Sequence, residues 1–270
     1  MKSIVTWIAA SSLLAAFAVA QTPRYTVTDL GPVGGPPGQP ITTTRNGLIA
    51  GDAANAGGAA HAMLWYRGLK FDISSPGLGG PNSVAFGVND SGQVAGEAEI
   101  PAADPNGEDF CGFRALGLPS SGKTCLPFLW QYGVMTPLPT LGGPNGTANQ
   151  VNSRGEVAGV AKNTTRDPAC PAPQVLQSKP VIWEPLFLGS ATIQELATVA
   201  GDPDGLAMAI NDNRQVVGAS GDCAAFNQAT YVNLQPLHAL LWQYGTVTDL
   251  GNLGGTGHGR YRWRLPGREV

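Results

Sequence analysis

The most regular pattern in this chain is a short alternating strand, a turn cluster and a second extended run that closes on glycine. Ser83-Val84-Ala85-Phe86-Gly87-Val88 alternates apolar with small or polar positions, as a half-buried strand does. Asn89-Asp90-Ser91-Gly92 supplies turn chemistry, since Asn and Asp accept local backbone hydrogen bonds and glycine reaches positive φ. Gln93-Val94-Ala95-Gly96 resumes an extended run, so the block predicts a β-hairpin. It recurs as RNGLIAG at 45–51, NDSGQVAG at 89–96, NSRGEVAG at 152–159 and NDNRQVVG at 211–218. The closing glycines Gly51, Gly96, Gly159 and Gly218 fall roughly 45 to 65 residues apart, the spacing of propeller blades or another tandem array.

A variable insert follows each hairpin, over 97–124, 160–178 and 219–237 in the last three units. A bulky strand then ends the block: HAMLW at 61–65, LPFLW at 126–130, KPVIW at 179–183 and HALLW at 238–242. Four of the six tryptophans, Trp65, Trp130, Trp183 and Trp242, thus recur at one place, which predicts buried core anchors. YTVTDL at 25–30, GLKFDIS at 68–74, GVMTPL at 133–138 and GTVTDL at 245–250 supply a further strand beside Gly-Gly turns. On this reading a unit opens with a segment such as 68–74 and closes at its tryptophan. The expected fold is all-β, of tandem four-stranded units arranged like propeller blades. TVTDL appears at both 26–30 and 246–250, and the second copy is expected to begin a unit that does not finish. Four repeats over 21–242, a truncated fifth over 243–270 and an open arc follow from that expectation.

The combined motif T-D-L-G-x-(L/V)-G-G, A-x-x-(I/V)-N-(D/S)-x-G-x-V-x-G and H-A-(L/M)-L-W resembles the HAF repeat family of bacterial extracellular proteins. His61-Ala62-Met63 and His238-Ala239-Leu240 match two letters of the family's His-Ala-Phe, whereas Leu126-Pro127-Phe128 and Lys179-Pro180-Val181 depart further. The resemblance covers about 25–257 and implies an exported β-repeat protein. It brings no catalytic residues.

Export is also predicted by the N-terminus. Lys2 precedes an apolar run over 4–18, and Ala18-Val19-Ala20 forms a small-x-small cleavage pattern, so 1–20 reads as a signal peptide leaving Gln21 first. No transmembrane segment is expected after cleavage. Glycine (37) and proline (22) are too frequent for long helices, while 43% apolar against 13% charged residues excludes a solvated disordered chain. A net charge of −3 offers no general attraction for nucleic acid. Cys111, Cys170 and Cys223 lie in the inserts and Cys125 directly follows the first, and four cysteines in an exported chain allow three pairings. Local closure favours Cys111–Cys125, which leaves Cys170–Cys223 to tie neighbouring units.

No catalytic, cofactor or metal site is assigned. His61 and His238 occupy equivalent strand starts where Leu126 and Lys179 stand in other units, so they read as structural. The Asn-Asp turns at 89–92 and 211–213 lack the further oxygen ligands and closing acid of a calcium loop. Glu97, Glu99, Asp104, Glu108 and Asp109 form an acidic cluster whose Pro, Ala and Gly neighbours predict a solvated surface loop rather than a glycosidase pair. Asn145 and Asn163 begin glycosylation acceptor patterns, and Arg260, Arg262, Arg264 and Arg268 make an atypical basic tail. The expected role is a non-enzymatic binding or scaffold protein for an extracellular protein or glycan. The alternatives are a secreted propeller hydrolase or lyase and a carbohydrate-binding propeller.

Overall fold

A computed structural model describes residues 26–30, 39–111, 113, 120–184, 191–223 and 238–251. The signal peptide at 1–20, Tyr25 and the arginine tail lie outside the described residues, and the first TVTDL at 26–30 forms no strand.

Sixteen strands form four separate four-stranded antiparallel sheets, each a simple up-and-down meander. The first contains β1 (Gln39–Thr43), β2 (Leu48–Ala54), β3 (Ala60–Tyr66) and β4 (Leu69–Asp72). The second contains β5 (Ser83–Val88), β6 (Val94–Ala103), β7 (Lys123–Gln131) and β8 (Val134–Pro137). The third contains β9 (Gly142–Val151), β10 (Val157–Arg166), β11 (Leu176–Trp183) and β12 (Ile193–Glu195). The fourth contains β13 (Asp204–Ile210), β14 (Val216–Gly221), β15 (His238–Gln243) and β16 (Thr246–Asp249). Each sheet packs on the next through its innermost strand, and among the described residues the first and fourth are not joined. The array is open and propeller-like.

The repeat is phased differently from the sequence reading. Leu69–Asp72 is the outer strand of the first sheet, not the opening of the second, and Thr246–Asp249 likewise pairs with β15. The supposed start of a fifth unit therefore completes the fourth sheet. A two-residue hairpin is the reason: Arg67-Gly68 and Tyr244-Gly245 all hold positive φ, which turns the chain straight back onto the tryptophan strand.

The closing glycine of each hairpin exists for space. In every sheet the innermost strand bulges against it, and a Cβ on Gly51, Gly96, Gly159 or Gly218 would sit 2.0–2.1 Å from a carbonyl oxygen of that strand. On Gly159 and Gly218 the ring of Trp183 or Trp242 closes the remaining volume. This contact explains both recurrences together.

Trp65, Trp183 and Trp242 are buried as expected, but Trp130 is only half-buried. In the second sheet the ring of Phe128 lies over Gly96 and occupies the volume that tryptophan fills in sheets three and four. Trp183 and Trp242 also donate Nε1–H to the carbonyls of Pro139 and Ala197, at 2.8 and 2.6 Å.

Asparagine couples the sheets. Asn89 Oδ1 accepts from Ser91 N and Gln93 N within its own turn, while its Nδ2 donates to the Asn152 carbonyl of the third sheet at 2.8 Å. Asn152 repeats the arrangement, with Nδ2 donating to the Asn211 carbonyl at 3.1 Å. Asn46, one residue late in its motif, reaches the Asp90 carbonyl at 2.8 Å.

Trp183→Ala is expected to cost about 3–5 kcal/mol and Trp130→Ala clearly less, because only the former empties a closed site. Urea midpoints of the two variants check this ordering. Equal losses would contradict the role given to Phe128.

Candidate functional site

Strand polarity places all the Asn-Asp turns and the Tyr-Gly turns at one rim of the array, and all the inserts at the other. The two rims differ in chemistry.

The insert rim is a buried polar layer. The expected solvated loop is overturned here: Glu97, Glu99, Asp104 and Glu108 are 4, 2, 7 and 0% exposed. Glu97 accepts from the Thr147 hydroxyl, and the other three satisfy backbone or amide donors that the meander leaves unpaired. Glu99 accepts from Asn82 N and Nδ2 at 3.2 and 2.9 Å and from the Ser121 hydroxyl. Asp104 accepts from Asn106 N, Glu108 N and Asn145 Nδ2 at 2.8, 3.1 and 2.8 Å. Glu108 accepts from Val175 N and Leu176 N at 2.8 and 2.7 Å, tying the second sheet's insert to the third. Lys162, 1% exposed, stands 3.4 Å from Glu108 and donates to the Leu176 carbonyl at 2.6 Å, with its ammonium 5.6 Å from the Phe110 ring centroid. Desolvation pulls the Lys162 ammonium below the usual lysine range, against the opposing fields of Glu108, Asp204 and Asp104.

Burial pushes the Glu97 carboxyl up to about 8, against the Thr147 hydroxyl that donates to it and reinforced by Glu99 nearby. Asp52, at the equivalent place in the first sheet, is pushed by burial to about 6. Both folded values exceed the unfolded ones. Their contributions to stability are therefore complete in acid and are lost as pH rises through about 6 and about 8.

Two disulfides close this rim. Cys111–Cys125 is local and Cys170–Cys223 joins the inserts of the third and fourth sheets, as the loop-closure argument predicted. Glu97, Cys111 and Cys125 come close enough to suggest a metal site, but both sulfurs belong to the disulfide and are not thiolate ligands. The Asn145 acceptor pattern is fully buried, so no glycan reaches it in the folded chain.

The histidines are held by carboxylates. His61 Nδ1 lies 2.7 Å from Asp72 and its Nε2 2.8 Å from Asn55 Nδ2, while His238 Nδ1 lies 2.7 Å from Asp202. Asp202 also accepts from Ser220 Oγ at 2.5 Å. His61 thus has both ring nitrogens engaged and His238 is anchored through Nδ1.

The turn rim is open to solvent. Between the third and fourth sheets lies a cleft of about 320 Å³, with Ile182, Leu196 and Trp242 below and Gln194, Asn213 and Tyr244 at its edge. Arg214 borders it and bridges Glu156 at 2.9 Å, Glu184, and Gln194 at 3.1 Å. Burial pushes the Glu156 carboxyl up, yet hydrogen bonds from Asn152 and Arg154 and the two guanidiniums outweigh it and hold it below the usual range. Tyr132 and Tyr244 stand 94 and 88% exposed, each at the first position of a positive-φ turn with φ 52 and 53°. A bulky aromatic is uncommon there, where asparagine is the preferred residue.

Sequence reasoning singled out none of Lys162, Asp204, Arg214, Tyr132 or Tyr244. Signals existed: Gln131-Tyr132-Gly133 and Gln243-Tyr244-Gly245 recur two sheets apart, and Pro81-Asn82, Pro144-Asn145 and Pro203-Asp204 recur once per sheet.

Removing one partner of the buried pair, by Lys162→Met or Glu108→Gln, is expected to cost about 3–5 kcal/mol because an uncompensated charge or donor stays behind. The double variant is expected to recover part of that loss, and a double-mutant cycle in urea measures the coupling. No family model matches this chain, and neither a curated protein nor a solved structure matches it.

Proposed function

We propose that this is an exported, non-enzymatic β-repeat protein that binds an extracellular ligand at its turn rim. The observation that carries the reading is the paired placement of Tyr132 and Tyr244. Both stand almost wholly in solvent at equivalent turns, in a backbone conformation that costs a non-glycine residue on the order of 1–3 kcal/mol. Strain of this kind clusters where a fold serves a ligand rather than itself.

The contrast with the other rim supports binding over catalysis. The acids that would perform hydrolysis are 0–7% exposed and hold backbone and amide donors in place. Two disulfides in the inserts suit an oxidising environment outside the cell, and the resemblance to the HAF repeats points the same way. No helix among the described residues is long and apolar enough to cross a membrane.

A glycan is the second reading, favoured by the cleft beside Tyr244. Gln194, Asn213 and Gln243 offer amide donors and acceptors next to an exposed ring, a combination that suits hydroxyl-rich ligands with an apolar face.

The test is a comparison of wild type with Tyr132→Asn and Tyr244→Asn. Asparagine suits both turns, so each change is expected to raise stability by about 0.5–1 kcal/mol while weakening ligand capture at least tenfold. Glycan arrays and capture from extracellular fractions read the binding, and a broad hydrolase screen runs beside them. Turnover of any screened substrate would overturn the non-enzymatic reading.

A further inference from the structure

One junction between sheets departs from the rule that the others follow. In each of the last three sheets one residue just before or near the start of the innermost strand reaches back to the preceding sheet. Asn82 Oδ1 accepts from Ala60 N at 3.1 Å, Asn145 Oδ1 from Cys125 N at 2.9 Å, and Asp204 Oδ1 from Ser178 N at 2.5 Å. These three backbone N–H groups occupy the same register on β3, β7 and β11. The side chains are a clasp between sheets.

What lies on the other side of the clasp differs. The amide nitrogen of Asn82 donates to Glu99 at 2.9 Å, and that of Asn145 donates to Asp104 at 2.8 Å. Asp167 is the third sheet's counterpart of Asp104. Both open the insert turn, with Gly107 N bonding the Asp104 carbonyl and Cys170 N the Asp167 carbonyl, each at 3.1 Å. Asp204 therefore faces Asp167 where an asparagine amide faces an acid one sheet earlier. An asparagine brings its own N–H; an aspartate brings none.

The geometry records the deficit. Oδ2 of Asp204 and Oδ2 of Asp167 are both buried and both without a donor, in residues 0 and 8% exposed. Two carboxyl oxygens in mutual contact, shut from water, cannot both be bare anions. We propose that Asp204 and Asp167 share one proton, which makes the junction between the third and fourth sheets a pH-sensitive clasp where the equivalent junction one sheet earlier is closed by the amide N–H of Asn145.

The surrounding charges do not remove the need for that proton. Lys162 on β10 is the cation whose field favours ionised Asp204, but its ammonium is shared with Glu108 and Asp104 from the second sheet's insert. Lys179 on β11 is turned to the Pro203 carbonyl at 2.5 Å, and His238 on β15 is paired with Asp202. Desolvation, against the Ser178 N–H and reinforced by Asp167, pushes the Asp204 carboxyl up to about 7. Because this exceeds the unfolded value of 3.8, the clasp is complete below about pH 4 and is lost as pH rises through about 7. Loss leaves two buried anions at a junction that the Cys170–Cys223 disulfide still holds, so the sheets loosen without separating. The cleft at the turn rim lies between the same two sheets.

The experiment compares the oxidised full chain with its Asp204→Asn variant by urea unfolding from about pH 5 to about pH 8.5. Asparagine restores the donor found at positions 82 and 145. The ratio of folding constants, variant over wild type, is expected to rise about 10- to 100-fold across this range, following linkage for one proton. Glu97 and Asp52 titrate in both proteins and cancel. Infrared spectra with isotope-labelled aspartate should show a protonated carboxyl in wild type near neutral pH that the variant lacks. If Asp204→Asn does not fold, Asp167→Asn supplies the donor from the opposite side and is read the same way. A ratio that stays constant with pH overturns the proposal. So does stabilisation of wild type alone by millimolar calcium without a protonated aspartate band, which would make the pair a cation site.

Discussion

A four-stranded meander buries too little apolar surface to stand alone, so everything here depends on how one sheet is held against the next. The asparagine at the head of each repeated turn meets that demand. One side chain shapes the turn through Oδ1 and reaches the neighbouring sheet's backbone through Nδ2, as Asn89 and Asn152 show. Turn formation and sheet assembly are thereby coupled in one residue.

The opposite rim solves the same problem with charge. Long inserts bring backbone donors into the space between sheets, where water cannot satisfy them. Carboxylates of Glu99, Asp104 and Glu108 do so instead, and Lys162 offsets part of the accumulated negative charge. Such a layer stabilises less than an apolar one of equal volume, but it fixes geometry. The two disulfides are placed within it, where loop entropy is greatest. Rigidity at this rim leaves the other free to carry exposed aromatic side chains.

Much of the architecture could be read from the chain. Repetition of the Asn-x-x-Gly turn gave the number of hairpins, and local loop closure gave the cysteine pairs. The phase of the repeat could not be read, because the hairpins after Trp65, Trp130 and Trp242 are built by Arg67-Gly68, Tyr132-Gly133 and Tyr244-Gly245, which carry no conventional asparagine signal. Burial of the acids was misread for a related reason. Pro, Ala and Gly around Asp104 and Glu108 look like surface loop composition, yet their partners, Asn145 and Leu176, belong to the following sheet and lie 37–68 residues away. Local composition is blind to donors supplied from so far along the chain. Trp130 failed on volume: Phe128 two residues earlier fills the shared site, a competition invisible to alignment by tryptophan alone.

The direction of the inter-sheet hydrogen bonds gives the array a head and a tail. At the turn rim Asn46, Asn89 and Asn152 donate to the sheet that follows; at the insert rim the N–H groups of Ala60, Cys125 and Ser178 do the same. The bonds that repeat from junction to junction thus point forward, whereas Asn145 Nδ2, Val175 N, Leu176 N and Arg214 donate back to the sheet before. The faces are not interchangeable, and a sheet docked the wrong way round would set donor against donor. On the fourth sheet Asn211 is exposed and its amide turns back to Gln215 at 2.6 Å, and Val217 is 42% exposed where Ala50, Ala95 and Ala158 are covered. A surface that extends the arc on that side would meet the Asn211 amide at the turn rim and offer it an acceptor.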